Sequence, residues 1–274
     1  MRRLFPLMLF GATFVTLAFL IVPIVAVFLR VPPGQLVDAL GSRVAREALI
    51  VTLETTVVAQ VLILVFGTPT AYLLANRRFP GHSVAITLVE LPLVLPPAVA
   101  GIGLLATFGR LGLLGSSLSA LGIELAFTKI AVVLAVMFVA GPFYIRSAVA
   151  AFADVDHTLT DAARTLGAGP ARTFGRVALP LALSGLGAGA ALSFARGIGE
   201  FGATIMFAGS LQGVTQTLSL AVYEQFDVEF DTALAIGAEL IVASAAVLLA
   251  VKLVPSWRRS TSIFPTVSAT SASS

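Results

Sequence analysis

Residues 161–180 read DAARTLGAGPARTFGRVALP, the longest interruption of apolar sequence before the tail that has helical order of its own. At the start of this stretch apolar residues recur at i, i+3, i+4 and i+7, which predicts a short helix with one apolar face. These residues are Leu159, Ala162, Ala163 and Leu166. Asp161 and Arg164 are expected to point away from that face. A short helix of this kind is suited to docking into another protein.

The ends of this short helix are also marked in the sequence. Thr158 is predicted to cap its N-terminus, with an acidic residue three positions later. Gly167 is predicted to end it, because glycine readily takes the left-handed conformation that closes a helix. Gly169 and Pro170 are expected to start a second short helix, with proline in its first turn. The alternative interpretation is an ordinary solvated connector between two membrane spans.

Composition places the whole chain in a membrane. Of its 274 residues, 58% are hydrophobic and 11% are charged, which is more apolar surface than a soluble domain of this length buries. A bilayer core requires about 20 apolar residues per helix. The predicted spans are 4–29, 48–75, 84–108, 130–152, 180–209 and 232–254. We therefore predict an all-α, polytopic membrane protein with six transmembrane helices.

The spans divide the chain into three parts. Residues 1–47 form the first transmembrane helix and an outer loop, and residues 48–254 form five helices with a long loop at 153–179. Residues 255–274 form a Ser- and Thr-rich tail that is expected to be disordered. The distribution of lysine and arginine puts both termini and the 153–179 loop in the cytoplasm. Basic residues are scattered between spans, so no nucleic-acid partner is expected.

Three prolines interrupt the third span. Pro92, Pro96 and Pro97 each lack a backbone N–H, so this helix is predicted to be bent or broken. Kinked spans occur both at translocation paths and in plain helix packing, and the sequence leaves these two explanations open. In the second span, Glu54 is either a helix-end residue near the membrane surface or a residue that lines a path.

The sequence RGIGEFGATI, which begins at Arg196, places charge inside the fifth span. Arg196 and Glu200 are one helical turn apart and are predicted to lie on the same face. A charge inside a span normally faces a cavity or is paired. The two residues either neutralise each other or, together with Gly199, Gly202 and Thr204, line or gate a polar path.

The sequence lacks the motifs of the common enzyme classes. It has no Gly-x4-Gly-Lys-Ser/Thr phosphate loop, no His-Glu-x-x-His zinc helix and no Gly-x-Ser-x-Gly elbow. The absence of cysteine removes thiolate metal sites. His82 and His157 fall in predicted cytoplasmic loops, where a solvated role is the default. We expect no metal site, no bound cofactor and no enzymatic activity on this chain.

Residues 161–180 resemble the EAA loop of ATP-binding-cassette (ABC) importer permeases. The pattern of that loop is Glu-Ala-Ala, three residues, Gly, nine residues, and Ile-x-Leu-Pro. It is matched without a gap by Asp161, Ala162, Ala163, Gly167, Val177, Leu179 and Pro180. Aspartate for glutamate and valine for isoleucine are conservative departures. The resemblance implies a set of ATPase-coupling residues, which are Asp161, Ala162, Ala163, Leu166 and Gly167.

A second resemblance, to molybdate importer permeases, covers about residues 48–254. It is carried by residues 91–97, 108–110, 199–205, 207–210 and 213–218. Sulfate permeases are related and share the Gly-Glu-aromatic-Gly core, so residues 199–202 alone do not separate the two oxyanions. Ser219 stands where the family tends to have proline, and this departure is expected to loosen a turn in the outer loop.

The two resemblances together imply a type I ABC importer permease of a bacterial or archaeal inner membrane. It is expected to work in the lipid bilayer as a homodimer, with a cytoplasmic ATP-binding subunit dimer that holds the ATP and Mg²⁺. An extracytoplasmic molybdate-binding protein is expected to dock over the path and release its cargo there, because the acidic outer loop near 210–231 would not attract an oxyanion from solution. The implied path or gate residues are Arg196, Gly199, Glu200, Gly202 and Thr204. A sulfate or tungstate permease, or a secondary transporter using Arg196 and Glu200 as an ion relay, are the alternatives.

Overall fold

The computed structural model describes residues 4–32, 34, 38 and 41–259. Those residues are mostly helical and include no strand, which confirms the all-α class. The first helices are α1 Leu4–Arg30, α2 Arg43–Asn76, α3 His82–Val94, α4 Pro97–Phe108, α5 Gly115–Ala120 and α6 Lys129–Ala153. They are followed by α7 His157–Thr165, α8 Pro170–Thr173, a π-helical turn Phe174–Ala178, α9 Leu179–Ile198, α10 Gly202–Ala208, α11 Leu218–Phe226 and α12 Phe230–Arg259.

Five described helices are long and apolar enough to cross a membrane, and the number is six if α3 and α4, which meet at a bend of 115°, are counted as one broken span. The bend lies at Leu95 and Pro96, which have ψ of 135° and 131°. Each of these residues precedes a proline, and the proline ring forces the preceding residue out of the helical region. The break predicted from the prolines is confirmed, whereas Pro92 lies inside α3.

The fifth span differs from the prediction at both ends. Helical residues run without a gap from Pro170 to Ile198, so the span begins before residue 180. It ends at Ile198 rather than near 209, and the residues up to Ala208 form the separate helix α10. The expectation of one span over 180–209 is therefore wrong. The closely spaced glycines around Glu200 weaken the helix there, because glycine loses more conformational entropy than other residues when it is held in a helix.

The last helix also runs further than predicted. α12 continues to Arg259, so residues 255–259 are helical, although they were expected to belong to a disordered tail. No glycine follows Gly237 in the sequence, and the chain therefore lacks the residue that most commonly ends a helix. Residues 260–274 lie outside the described part of the chain.

The centre of the helix bundle is α6, which packs against α2 on one side and α9 on the other. Small residues make these contacts close. A Cβ atom on Gly185 would lie 2.5 Å from the Cβ of Ala151, and one on Gly189 would lie 2.7 Å from the Cβ of Ser147. The glycines of GLGAG at 185–189 therefore allow α9 and α6 to approach closely.

Helix α1 has a different environment from the rest of the bundle. Its described side chains are almost all exposed, including Phe14, and it contacts α12. At the end of α1 the guanidinium carbon of Arg30 lies 5.7 Å from the centre of the Phe230 ring, a distance typical of a cation–π contact. The exposed apolar surface of α1 matches a helix surrounded by lipid.

Candidate functional site

A buried charged cluster lies where the fifth span breaks. Glu200 sits between α9 and α10 and is 2% exposed. Its Oε1 accepts a hydrogen bond of 2.7 Å from the backbone N–H of Ala203, in the first turn of α10. Its Oε2 lies 2.6 Å from Nη2 of Arg196, but the N–H does not point at the oxygen, so this contact is an ion pair without an aligned hydrogen bond. Glu200 therefore caps one helix and neutralises a charge on the other.

Arg196 and Glu200 pair, as one of the two alternatives left open by the sequence has it, but the predicted geometry is wrong. The two residues do not share the face of one helix, because α9 ends at Ile198 and Glu200 lies beyond it. Gly199 occupies the break, is exposed and has no atom within 4 Å of the place where a Cβ would stand. The carboxylate compensates for the lost helical turn by bonding to the start of the next helix.

The break also contacts the bent third span. A Cβ on Gly202 would lie 2.9 Å from the Cβ of Pro97, and a Cβ on Gly101 would lie 2.5 Å from the carbonyl oxygen of Ala203. Both positions need glycine, because real Cβ atoms essentially never come so close to other atoms. The bend of the third span, which the prolines predicted, and the break of the fifth span, which was not predicted, therefore meet in space.

Several buried hydroxyl groups lie in the same part of the bundle. Thr52 Oγ1 accepts from the backbone N–H of Leu218 at 2.8 Å, and Ser193 Oγ donates to the carbonyl oxygen of Ala140 at 2.9 Å. Thr204 is fully buried, yet its hydroxyl has no hydrogen-bond partner among the described residues. Buried hydroxyls are nearly always bonded, so the Thr204 hydroxyl is an exception among these groups.

Ser219 has a role that sequence reasoning missed. It lies in the first turn of α11, and its Oγ donates a hydrogen bond of 2.7 Å to the carbonyl oxygen of Glu200. The expectation that this residue loosens a turn is wrong, since the hydroxyl ties the break to the next helix. The sequence marked this position only because serine replaces the proline that the family tends to have. A proline could not make this bond, because it has no hydroxyl.

The segment between the fourth and fifth spans, residues 153–179, contains α7, α8 and the π-helical turn. Gly167 follows the end of α7 with φ of +84°, as predicted for a helix stop. The predicted N-cap Thr158 is wrong, because Asp156 takes that position and its Oδ1 accepts from the backbone N–H of Thr158 at 2.8 Å. That hydrogen bond lowers the pKa of Asp156. An aspartate is among the strongest N-cap residues, so the helix starts earlier than predicted.

The predicted apolar face of α7 forms, but no part of the described chain covers Leu159 and Leu166 on it. Leu159 is 48% exposed and Leu166 is 89% exposed, whereas Thr160 on the other side is buried. Asp161 and Arg164 pair with each other at 3.0 Å and stay exposed. Of the five predicted coupling residues only Ala163 is partly buried.

Three aromatic rings anchor the base of this segment, and none of them was singled out by the sequence. The ring of Phe174 lies 4.7 Å from that of Tyr72 on α2 and 6.1 Å from that of Phe152 on α6, measured between centroids. The Tyr72 and Phe152 rings are 5.2 Å apart. The segment is therefore joined to two long spans by packing. A single Phe in a polar stretch carries no periodic signal that would reveal this contact.

A comparison with known protein families shows to which family the chain belongs. The model of the family described as "Binding-protein-dependent transport system inner membrane component" matches residues 63–258. The chain belongs to this family. Its members are permease subunits of import systems, so the chain is a multi-pass inner-membrane permease subunit and is not itself the enzyme of such a system.

Two relatives and one solved structure illustrate what this permease resembles. It is 42% identical to the molybdenum transport system permease protein ModB of Mycobacterium tuberculosis, over 86% of this chain and 89% of that one. It is 34% identical to the probable sulfate transport system permease protein cysT of Nephroselmis olivacea, over 82% and 80% of the two chains. The crystal structure of a bacterial alginate ABC transporter, in complex with an alginate pentasaccharide-bound periplasmic protein, matches with a TM-score of 0.74 at 17% identity, covering 94% of this chain and 95% of that one. At 17% identity, the match to the alginate transporter supports the fold alone.

Glu54 of the permease pairs with the start of α6. Its Oε2 is 2.7 Å from Nζ of Lys129, the first residue of α6, and both side chains are about half-exposed. At a rise of about 1.5 Å per residue, Glu54 lies about 16 Å along α2 from Arg43, so it is not at the end of that helix. Among the described residues, no group of three or more His, Asp or Glu side chains has the arrangement of a metal site.

The predicted acidic outer loop of the permease contains helix α11. Leu218, Leu220 and Ala221 of this helix are buried, and Gln216 Nε2 donates to Glu224. The other predicted acidic residues are exposed, and they are Asp227, Glu229 and Asp231. The loop is therefore a folded element whose rim carries negative charge.

Proposed function

We propose that the chain is the membrane-spanning subunit of an ATP-driven molybdate importer. The observation that carries this proposal is the 42% identity to a molybdenum transport system permease protein along 86% of the chain. Further support comes from Arg196, a partly exposed cation near the break of the fifth span, and from the buried hydroxyl of Thr204 in the following helix. An Arg guanidinium and hydroxyl groups are suitable partners for a tetrahedral oxyanion.

Coupling to ATP is assigned to α7. Its exposed residues Leu159 and Leu166 dock into a groove of a cytoplasmic ATP-binding subunit, and ATP with Mg²⁺ is held by that partner. When ATP closes the partner dimer, the two docked helices move together. The aromatic contacts of Phe174 with Tyr72 and Phe152 carry that movement to α2 and α6, and the spans rock to open the path outward.

The working unit is a homodimer, with the path between two copies and both termini in the cytoplasm. On the outer side, an extracytoplasmic binding protein docks over the path. The acidic rim formed by Asp227, Glu229 and Asp231 repels free oxyanions, which favours delivery by such a protein over direct capture from solution. Loaded binding protein favours the same outward-open state as ATP, and this links hydrolysis to delivery.

At the centre of the path, the ion pair of Arg196 with Glu200 controls access. The guanidinium is partly exposed, whereas the carboxylate is buried and fixed by Ala203. An oxyanion approaching Arg196 therefore meets a cation whose position is set by its own counter-ion. Gly199 and Gly202 leave room for the substrate and for the close contact with Pro97.

A sulfate permease is the second candidate, because a sulfate transport permease is 34% identical over 82% of the chain. The deciding experiment is ATP-driven uptake of labelled molybdate into proteoliposomes that contain this chain, its ATPase and its binding protein. Uptake that requires both partners and persists in excess sulfate supports the proposal. Displacement by sulfate keeps the mechanism and changes the substrate, and displacement by tungstate alone leaves molybdate and tungstate as joint substrates. Uptake without the ATPase contradicts the proposal of an ATP-driven importer and favours a secondary transporter.

A further inference from the structure

Two charged side chains on membrane-spanning helices, outside the Arg196 cluster, are accessible in the single chain. Glu90 on α3 and Arg146 on α6 have side chains that are 44% and 69% exposed. At a rise of about 1.5 Å per residue, Arg146 lies about 10 Å along α6 from Ala153, and Glu90 lies about 12 Å along α3 from His82. Both residues therefore sit well inside the ends of their spans, in the half of the membrane that adjoins α7.

The surroundings of Arg146 limit what it faces. The neighbouring Tyr144 packs against Gly67 of α2, and Ser147 packs against Gly189 of α9. Arg146 lies on the face of α6 that these two contacts leave uncovered, and Ala150, one turn later, is exposed on the same face. Charged side chains inside spans normally face water or protein, because lipid does not solvate them. The uncovered face of α6 is thus a candidate for an aqueous surface.

The contact between the two charges is loose. Nε of Arg146 is 3.8 Å from Oε1 of Glu90, which is beyond hydrogen-bond range. Arg196 and Glu200, by contrast, are 2.6 Å apart. No hydrogen bond to the Arg146 guanidinium is present among the described residues, so its fork of N–H donors is open to a ligand. Such a fork matches the oxygens of a tetrahedral oxyanion.

We propose that Arg146, held beside Glu90, is a second anion-contact site on the translocation path, in the half of the membrane nearest the ATPase. This inference rests on the proposed function, from which it takes the path and the class of substrate. An oxyanion that leaves the level of Arg196 meets Arg146 next. Glu90 weakens the attraction of Arg146 for the anion, so the anion is passed to the cytoplasm and is not retained.

The phosphate of a lipid headgroup is also a tetrahedral oxyanion, and Arg146 reaching toward the inner membrane surface is the competing source of the same chemistry. Cysteine labelling separates the two, because the chain has no cysteine of its own. In the full complex in proteoliposomes, Glu90→Cys is treated with a negatively charged sulfonatoethyl and a positively charged trimethylammonioethyl methanethiosulfonate. Phe14→Cys, exposed on the isolated surface of α1, is the control for a position that faces lipid.

The expected result is rapid labelling of Glu90→Cys, faster with the anionic reagent by about fivefold because Arg146 lies close by. Adding Arg146→Gln is expected to remove that preference, and excess molybdate is expected to slow the labelling. Labelling as slow as that of Phe14→Cys overturns the proposal, because the site then faces lipid. Equal rates with the two reagents, or a rate that changes with lipid composition but not with molybdate, overturn it as well.

Transport provides an independent measurement. Arg146→Gln is expected to lower the maximal uptake rate with little change in the half-saturating concentration of loaded binding protein, and Arg146→Lys is expected to restore part of the rate. An unchanged maximal rate for Arg146→Gln contradicts the proposal. If the natural chain does not take up molybdate but Glu90→Cys still reacts faster with the anionic reagent, the proposed substrate is refuted and the anion site stands. Normal molybdate uptake without that preference refutes only the site.

Discussion

Helix α7 and the Glu200 break depart from the usual burial pattern in opposite directions. Outside the membrane-spanning helices, Leu166 is 89% exposed, and inside them Glu200 is 2% exposed. Exposed apolar faces and buried charges both require a partner. Glu200 finds its partners within the chain, in Arg196 and the N–H of Ala203, whereas no part of the described chain covers Leu166.

This difference indicates that the exposed face of α7 is a surface for another protein, whereas the Glu200 break also stabilises the fold of the chain itself. Substitutions on the exposed face of α7 are expected to affect transport without affecting the stability of the chain. Substitutions at Glu200 are expected to affect both, because the same carboxylate caps α10 and neutralises Arg196. Predictions that compare stability with transport therefore test the distinction directly.

The largest expected effect is the loss of transport on disruption of α7. Ala163→Asp adds a charge to the docking face, and Gly167→Pro is incompatible with φ of +84°. Each is expected to abolish ATP-driven uptake in proteoliposomes while the chain stays in the membrane. Gly169→Ala is the matched control, since Gly169 has φ of −66° and open space around it. Normal import by either variant contradicts the assignment of α7 as the coupling helix.

Removal of the Glu200 carboxylate is expected to damage both properties. Glu200→Ala leaves Arg196 without its counter-ion and removes the cap of α10, and breaking such a buried pair costs about 3–5 kcal/mol. Thermal unfolding of the purified chain measures this loss. Glu200→Gln keeps an acceptor for Ala203 and is expected to lose less stability while still impairing uptake. Equal stability of Glu200→Ala and the natural chain contradicts a supporting role for the break.

Two threonines in the bundle provide a finer comparison. Thr52→Val removes the acceptor for the N–H of Leu218 and is expected to cost about 1–3 kcal/mol, since it leaves a buried donor unpaired. Thr204→Val removes a hydroxyl that has no described partner, so stability is expected to stay the same or rise, while uptake falls. Unfolding and uptake measured for both variants test this. A marked loss of stability for Thr204→Val means that its hydroxyl has a structural partner.

The smallest effect concerns pH at the start of α7. The hydrogen bond from Thr158 lowers the pKa of Asp156, so its contribution to the helix is present above the unfolded pKa of about 3.9 and is lost as the pH falls through the lowered folded value. α7 is therefore expected to be insensitive to pH near neutrality and to fray only in acid, as measured by hydrogen exchange of the Thr158 amide. Asp156→Asn keeps a capping oxygen and is expected to remove that pH dependence. Fraying of α7 at neutral pH contradicts this assignment.

Features that are determined by neighbouring residues in the sequence could be predicted from the sequence. Proline forced the bend before Pro97, glycine ended α7 at Gly167, and apolar runs gave the approximate spans. The pairing of Arg196 with Glu200 followed from the cost of charge in a membrane. Each of these features is determined by residues close together in the sequence.

Features that depend on distant residues were missed or misplaced. The end of α9 depends on Glu200 bonding to α10, and the role of Ser219 depends on a carbonyl group that only folding brings near it. The same holds for Phe174, whose partners Tyr72 and Phe152 lie far away in the sequence. The choice of Asp156 over Thr158 as a cap was a local competition between two suitable residues.

The π-helical turn Phe174–Ala178 makes the length of the chain at this point as important as its composition. A π-turn holds one more residue than an α-turn, and each helical residue corresponds to about 100° of rotation. The turn therefore sets the angular phase of α9 relative to α8, and with it the direction in which Gly185 and Gly189 face α6. Open space surrounds Gly175, so the turn tolerates a larger side chain there. A chain of the same length with an α-turn in this place would rotate the glycine face of α9 by about 100° away from α6, and the phase, unlike a side chain, has no conservative replacement.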